Sequence, residues 1–443
     1  MTSRRLFLKS AKGAARAIAQ DQGLIARRSV LRVLLKSSAI GMFGLGTAPA
    51  WLSRALYAAD APSPRKKILV AIFQRGAVDG LNMVVPFGEK RYYDLRPNLA
   101  IPKPDGTENS AIDLDGFFGL HPALSPLKPI YDAGHMAIVH AVGSPDPTRS
   151  HFDAQDYMES GTPGRKATSD GWLNRALSTD VPTEKLSSPV RAVSLGTALP
   201  RAIRGQNEAV AIANLNDFQI RDTRGAGTFE SMYENTLDQV MNGAGHETFE
   251  AVKLMQSIQK QPYAPAGNVQ YPNSPLAQDL MQIARLIKSD VGLEVAFAEM
   301  RGWDTHFNEV GARPTVGQLA NLLVQFGSAL AAFYQDLGDK MADVSVVTMS
   351  EFGRTARENG SRGTDHGHAN VMFAFGGGIR GGKVFGQWPG LEPEQLYEQR
   401  DLQLTTDFRD VLGELVVRHL GNARVASVFP GYEQPKFRGI VAG

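Results

Sequence analysis

Short apolar runs alternate with amphipathic helical segments along nearly the whole chain, and this alternation limits the folds open to it. Lys67–Phe73, Met136–Val142, Val190–Leu195, Ala209–Ile212, Leu293–Met300, Val344–Met349 and Val371–Gly376 read as strands. Between them, His121–Ala133, Ser150–Glu159, Phe229–Gln261, Leu276–Ser289, Thr315–Lys340 and Thr405–Leu420 read as helices. In Thr315–Lys340 the residues Val316, Leu319, Leu322, Leu323, Phe326, Leu330, Phe333 and Leu337 follow the 3.6-residue period of one buried face. Such alternation predicts an α/β fold, a mainly parallel sheet flanked by helices on both faces.

The first 58 residues differ from the rest. They hold ten Lys/Arg and one acidic residue, which leaves 37 basic and 44 acidic residues for 59–443. The body is therefore mildly acidic, and nucleic-acid binding is disfavoured. Arg4-Arg5 and Arg27-Arg28 are both twin-arginine candidates. Only the second pair is followed directly by an uncharged stretch, Ser37–Ser53, short and weakly apolar as a signal segment is. We expect a leader over 1–58 that engages the twin-arginine translocase, cleavage near Ala59, one α/β domain over 59–443, a periplasmic location and no stable membrane span. The chain has no cysteine. Disulfides, thiolate metal sites and cysteine nucleophiles are excluded, and folding in a reducing compartment before export meets no obstacle.

In parallel sheets ligands bind beyond the carboxyl ends of the strands. Asp79 follows the first predicted strand, Asp304 and His306 follow Leu293–Met300, and Glu351 follows Val344–Met349. Asp365, His366 and His368 precede Val371–Gly376. Imidazole with carboxylate suits Zn or Mn, and carboxylates alone suit Mg or Ca. Asp-x-His and His-x-His spacing puts both side chains on one side of an extended segment. A divalent metal held by two such pairs would activate water or polarise a phosphoryl or sulfuryl oxygen. Simpler roles stand beside these: a turn cap for Asp304/His306, a Glu351–Arg354 structural pair, and a helix cap for Ser150. Gly376–Gly382 lacks the Lys-Ser/Thr of a phosphate loop and reads as a tight turn.

Several pieces together resemble the bacterial "domain of unknown function 1501" family: Asp79-Gly80-Leu81-Asn82, Arg149-Ser150-His151-Phe152, Trp303-Asp304-Thr305-His306, Ser350-Glu351-Phe352-Gly353-Arg354-Thr355 and Gly363-Thr364-Asp365-His366-Gly367-His368-Ala369. Gly386-Gln387-Trp388-Pro389 and Thr405-Thr406-Asp407-Phe408-Arg409 complete the set. That family resembles a remote branch of the alkaline phosphatase and sulfatase superfamily. The resemblance implies a two-metal site in which Asp79 is the first ligand, Ser150 the nucleophile, Asp304 and His306 the middle pair, and His366 or His368 the last histidine. It fails at Glu351-Phe352, where the superfamily has Asp-His; Asp365 or His151 would then have to substitute.

Two functions follow as expectations. One is an exported metal-dependent hydrolase of small anionic phosphate or sulfate esters. Its ligands would come from Asp79, His151, Asp304, His306, Glu351, Asp365, His366 and His368, with Ser150 attacking and Arg149 or Arg354 holding anionic oxygens. The other is a non-catalytic exported binding or assembly protein on a degenerate hydrolase scaffold. The first requires Asp79, His306 and the 365–368 group to face one pocket.

Overall fold

The computed structural model describes residues 67–166, 168–177, 188, 190–215, 251 and 254–442. The leader and most of the Phe229–Gln261 helix lie outside them. Among the described residues no helix is long and apolar enough to cross a membrane.

The centre of the body is a nine-stranded sheet. In chain order its strands are β1 Ile68–Arg75, β5 Met136–Gly143, β6 Ala192–Leu195, β7 Val210–Ile212, β8 Val295–Arg301, β9 Val344–Met349, β10 Asn370–Gly376, β11 Lys383–Phe385 and β12 Thr406–Asp407. The numbers between belong to a small antiparallel sheet of β2 Val84–Val85, β3 Ile112–Asp113 and β4 Gly119–Leu120, too short to show in the sequence pattern. The large sheet runs β11-β5-β10-β9-β1-β8-β6-β7, with β12 also on β5. β1 pairs in parallel with both β8 and β9. β10 alone is reversed, antiparallel to β9 and to β5.

Residue alternation along β1 feeds two cores. Val70 and Ile72 join the cluster that holds the helices α2 (Pro275–Lys288) and α3 (Gln318–Leu337). Leu69, Ala71 and Phe73 join the opposite cluster, with Met158 of α1 (His151–Ser160) and Phe408, Val411 and Leu412 of α4 (Phe408–Glu414). Period-2 side chains on a sheet covered on both faces produce this split. The α3 stripe is buried at Leu319, Leu323, Phe326, Leu330, Phe333 and Leu337. The helix begins at Gln318, later than its apolar period suggests, because Gly317 has φ +121° and breaks the turn that would have included Val316. The His121–Ala133 segment is a 3₁₀ stretch, Pro122–Leu127, followed by a short α turn, since Pro126 and Pro129 each lack an N–H. The last predicted helix starts at Phe408 and passes into a π turn at Leu415–His419.

Three histidines outside the motif clusters are buried and neutral. His121 Nδ1 accepts from Ala123 N, His140 donates to Val84 O, and His419 donates to Ile68 O while facing Ser345 Oγ. Burial lowers each imidazole pKa from 6.5 to about 4. Below pH 6.5 the unfolded chain takes up these protons before the folded one does. Stability is therefore full above that value and falls as pH drops toward 4, on the order of several kcal/mol in all. Thermal unfolding scanned from pH 7.5 to 4 should show a declining midpoint, and His140→Gln should flatten part of the slope if it folds. A midpoint independent of pH across this window would contradict the assignment.

Candidate metal centre

The reversal of β10 brings the predicted site residues together. Loops leave the carboxyl ends of β1, β5, β8 and β9 at one edge of the sheet. Because β10 runs the other way, the segment that precedes it, with Asp365 and His366, arrives at that same edge. The approach is close. A Cβ on Gly363 would stand 2.3 Å from His306 O, and one on Gly76, already at φ +114°, 2.7 Å from Asp304 N.

Three imidazoles and one carboxylate converge there. Donor atoms of His151, Asp304 and His366 all lie within 4.8 Å of one another. His151 Nε2 is 3.4 Å from Asp304 Oδ2, and His366 Nε2 is 3.2 Å from Asp304 Oδ1. His306 Nε2 is 3.0 Å from Asp304 Oδ1 and 3.0 Å from His366 Nε2. Tetrahedral donors at bond lengths of about 2.0–2.1 Å stand about 3.4 Å apart, so these separations suit a small divalent cation.

The other nitrogen of each ring fixes its tautomer. His151 Nδ1 lies 2.8 Å from Glu351 Oε1, His306 Nδ1 3.1 Å from Asp365 Oδ1, and His366 Nδ1 2.9 Å from the Arg149 carbonyl. Carboxylates and carbonyls only accept, so each Nδ1 donates to its outer partner and each Nε2 is left facing inward, toward Asp304. His151 Nε2 is buried and has no hydrogen-bond partner. At the 3.0 Å His306–His366 approach, either a proton or a cation must lie between the two nitrogens.

Glu351 and Asp365 are thus the outer partners of histidines. Glu351 is fully buried and also accepts from Gly76 N and Gln155 Nε2. Burial pushes its carboxyl up, but the bonds from His151 and Gln155 win and hold it below the usual range. The same contest, settled by Asn359 and His306, lowers Asp365. The bond to Glu351 raises the His151 imidazole, whereas burial lowers His366. At Asp304 burial is again outweighed, here by the Arg354 bond and charge with His306 and His151.

Arg354 is buried and holds the loops in place. Its guanidinium donates to the carbonyls of Ala77 (2.6 Å), Gly76 (2.7 Å), Trp303 (2.8 Å) and Thr364 (3.1 Å), and to Asp304 Oδ1 (2.7 Å). It therefore joins three loops and, being fully buried, does not reach a substrate oxygen, contrary to the anion-holding role expected from sequence. Arg149 is committed as well, to Asp401 and Glu398.

Two other expected ligands lie outside the cluster, so of the groups that the hydrolase reading required in one pocket, His306, Asp365 and His366 meet while Asp79 and His368 do not. Asp79 is buried, with both oxygens on Arg96 at 2.5 and 3.0 Å. Burial and the Asp79 charge push the carboxyl of its neighbour Glu309 well above its usual value. His368 is buried, contacts Ser144 O at 3.2 Å and stacks 4.4 Å from Tyr397. Ser150 occupies the cap position of α1, but its side chain makes no cap bond and is exposed. Sequence reasoning missed Arg96, Glu309 and Asp401, buried charges that carry no spacing signature. Phe352 packs under the site, its ring 5.0 Å from His151 and 4.9 Å from His366.

The structure is thus a mixed, mostly parallel α/β protein with a histidine–carboxylate cluster at one sheet edge. Residues 134–426 match the sequence model of the family described as protein of unknown function (DUF1501), and the chain belongs to that family. His151, Asp304, His306, Glu351 and His366 fall inside the matched stretch; Asp79 does not. No curated protein matches the chain. Among solved structures, it is similar to the PsFucS1 sulfatase from Pseudoalteromonas sp. at 12% identity and a TM-score of 0.37, over 89% of this chain and 77% of that one. It is also similar to a protein in the alkaline phosphatase superfamily from Vibrio parahaemolyticus, at 11% identity and a TM-score of 0.31, over 73% of this chain and 62% of that one.

Replacing Arg354 by Met leaves four carbonyls and Asp304 without their donor. This should cost roughly 3–5 kcal/mol in urea denaturation. Lys, which lacks the planar fork, should recover little of it. A loss below about 1 kcal/mol would remove Arg354 from its organising role.

Proposed function

We propose that this chain is an exported, metal-dependent hydrolase of phosphate or sulfate esters. One observation carries the proposal: three Nδ1-anchored imidazoles direct their Nε2 atoms at a single carboxylate. Backing of a ligating histidine by a carboxylate or carbonyl is the usual second layer of a metal centre. His151, Asp304 and His366 would hold the cation, with His306 beside them. A bound divalent cation would supply Lewis acidity, activating water or polarising an ester oxygen.

The protein's own contribution is to orient and expose. Glu351, Asp365 and the Arg149 carbonyl set the ring planes, and Arg354 sets Asp304. The Asp304 side chain is 45% accessible, so a ligand from solvent can reach the donors. Three protein donors leave a coordination position for it. Ser150, one residue before His151 and free of a cap bond, is the hydroxyl we assign as nucleophile.

Purified protein should contain Zn²⁺ or Mn²⁺, lose it to chelator with a fall in unfolding temperature, and turn over an aryl phosphate or aryl sulfate. His151→Ala and His366→Ala should abolish metal retention. Ser150→Ala should keep the metal and lose turnover. Glu351→Gln should weaken metal affinity about 10–100-fold. Retained metal with no turnover across the ester panel would favour the second function, an exported binding or assembly protein. Phe352 beneath the site and the exposed Phe152 and Phe307, 89% and 67% accessible, favour that second function.

Export by the twin-arginine translocase is part of the proposal, supported by Arg27-Arg28, the uncharged segment behind them and the absence of cysteine. Cell fractionation should find the protein outside the cytoplasm, and Lys-Lys at 27–28 should retain it inside. Unchanged export of that variant would point to Arg4-Arg5.

A further inference from the structure

We infer that the centre takes one divalent cation per chain, with the buried guanidinium of Arg354 as the second positive charge on Asp304. The inference rests on the metal reading above and concerns its stoichiometry, where the family resemblance implied two ions.

The argument is a count of donors. His151, His306, His366 and Asp304 are the four groups that converge. A metal ion usually takes at least three protein donors, so this group suffices for one ion, held by His151, Asp304 and His366 with His306 beside them, and not for two. The other expected ligands already have partners elsewhere. Both oxygens of Asp79 are on Arg96, an ion pair that is almost wholly buried. Glu351 faces Gly76, His151 and Gln155, and Asp365 faces His306 and Asn359. His368 is turned to Ser144. Against the rings of His151 and His366, which touch each other, stands the apolar ring of Phe352, which offers no donor.

Charge gives the same answer. Asp304 Oδ1 is approached by His306, His366 and Arg354, the last at 2.7 Å. A second cation bridging through that oxygen would sit beside a fixed guanidinium with no further carboxylate turned inward to offset it. Asp304 Oδ2, facing His151 at 3.4 Å, remains the open side.

The test is a metal count on the intact protein. Metal-free protein is titrated with Zn²⁺, and separately with Mn²⁺, by calorimetry, and the ion retained after gel filtration is measured by mass spectrometry. One ion per chain and a single-step isotherm are expected. Asp304→Asn should abolish the whole isotherm, because all the donors meet at that carboxylate. His368→Gln should leave the count at one. Two ions per chain, or a second step that survives in Asp304→Asn, would overturn the inference while leaving a metal-dependent function standing. No binding of either ion would overturn both.

Discussion

The guanidinium of Arg354 sits where three loops meet, and the geometry of the site depends on it. It gathers carbonyls from the turn after β1, the turn after β8 and the segment before β10, then ends on Asp304. Those loops approach so closely that their exposed carbonyls would otherwise be buried without donors, which costs more than a hydrogen bond contributes. One planar, permanently charged group with five N–H donors satisfies them together. The position of the Asp304 carboxylate therefore follows from a network whose other members are backbone.

Around that anchor two kinds of histidine divide by environment. His121, His140 and His419 lie in the body with one nitrogen on a backbone group, and burial alone keeps them neutral. His151, His306 and His366 are partly exposed and have acceptors behind them, so their Nε2 atoms face forward. Residue type is the same in both sets; only the second group faces an anion. The neighbouring Asp79–Arg96–Glu309 group is a third case, in which a carboxylate that looks like a ligand is already neutralised inside the protein.

Much of this could be read from the chain. Seven strands of the large sheet, all but β11 and β12, were visible as apolar runs, because both faces of that sheet are covered and most of its strand residues are apolar. The site segments were visible as Asp-x-His, Gly-Thr-Asp-His-Gly-His and Glu-Phe-Gly-Arg. The roles within them were less legible. Spacing places His366 and His368 together, yet only His366 reaches the cluster, since His368 turns to Ser144 and Tyr397. Glu351 looked like a ligand and instead orients one.

What the sequence determined by itself was the layered α/β class and the stretches of chain that carry chemistry, because periodicity and residue type are local properties. Only the tertiary structure decided the direction of β10, and with it the meeting of residues that precede one strand with residues that follow four others. It also decided which carboxylates were consumed by buried arginines. Strand polarity and charge pairing are settled between separate segments of the chain, from 17 residues apart for Asp79 and Arg96 to 252 for Arg149 and Asp401, by contacts that no local pattern encodes.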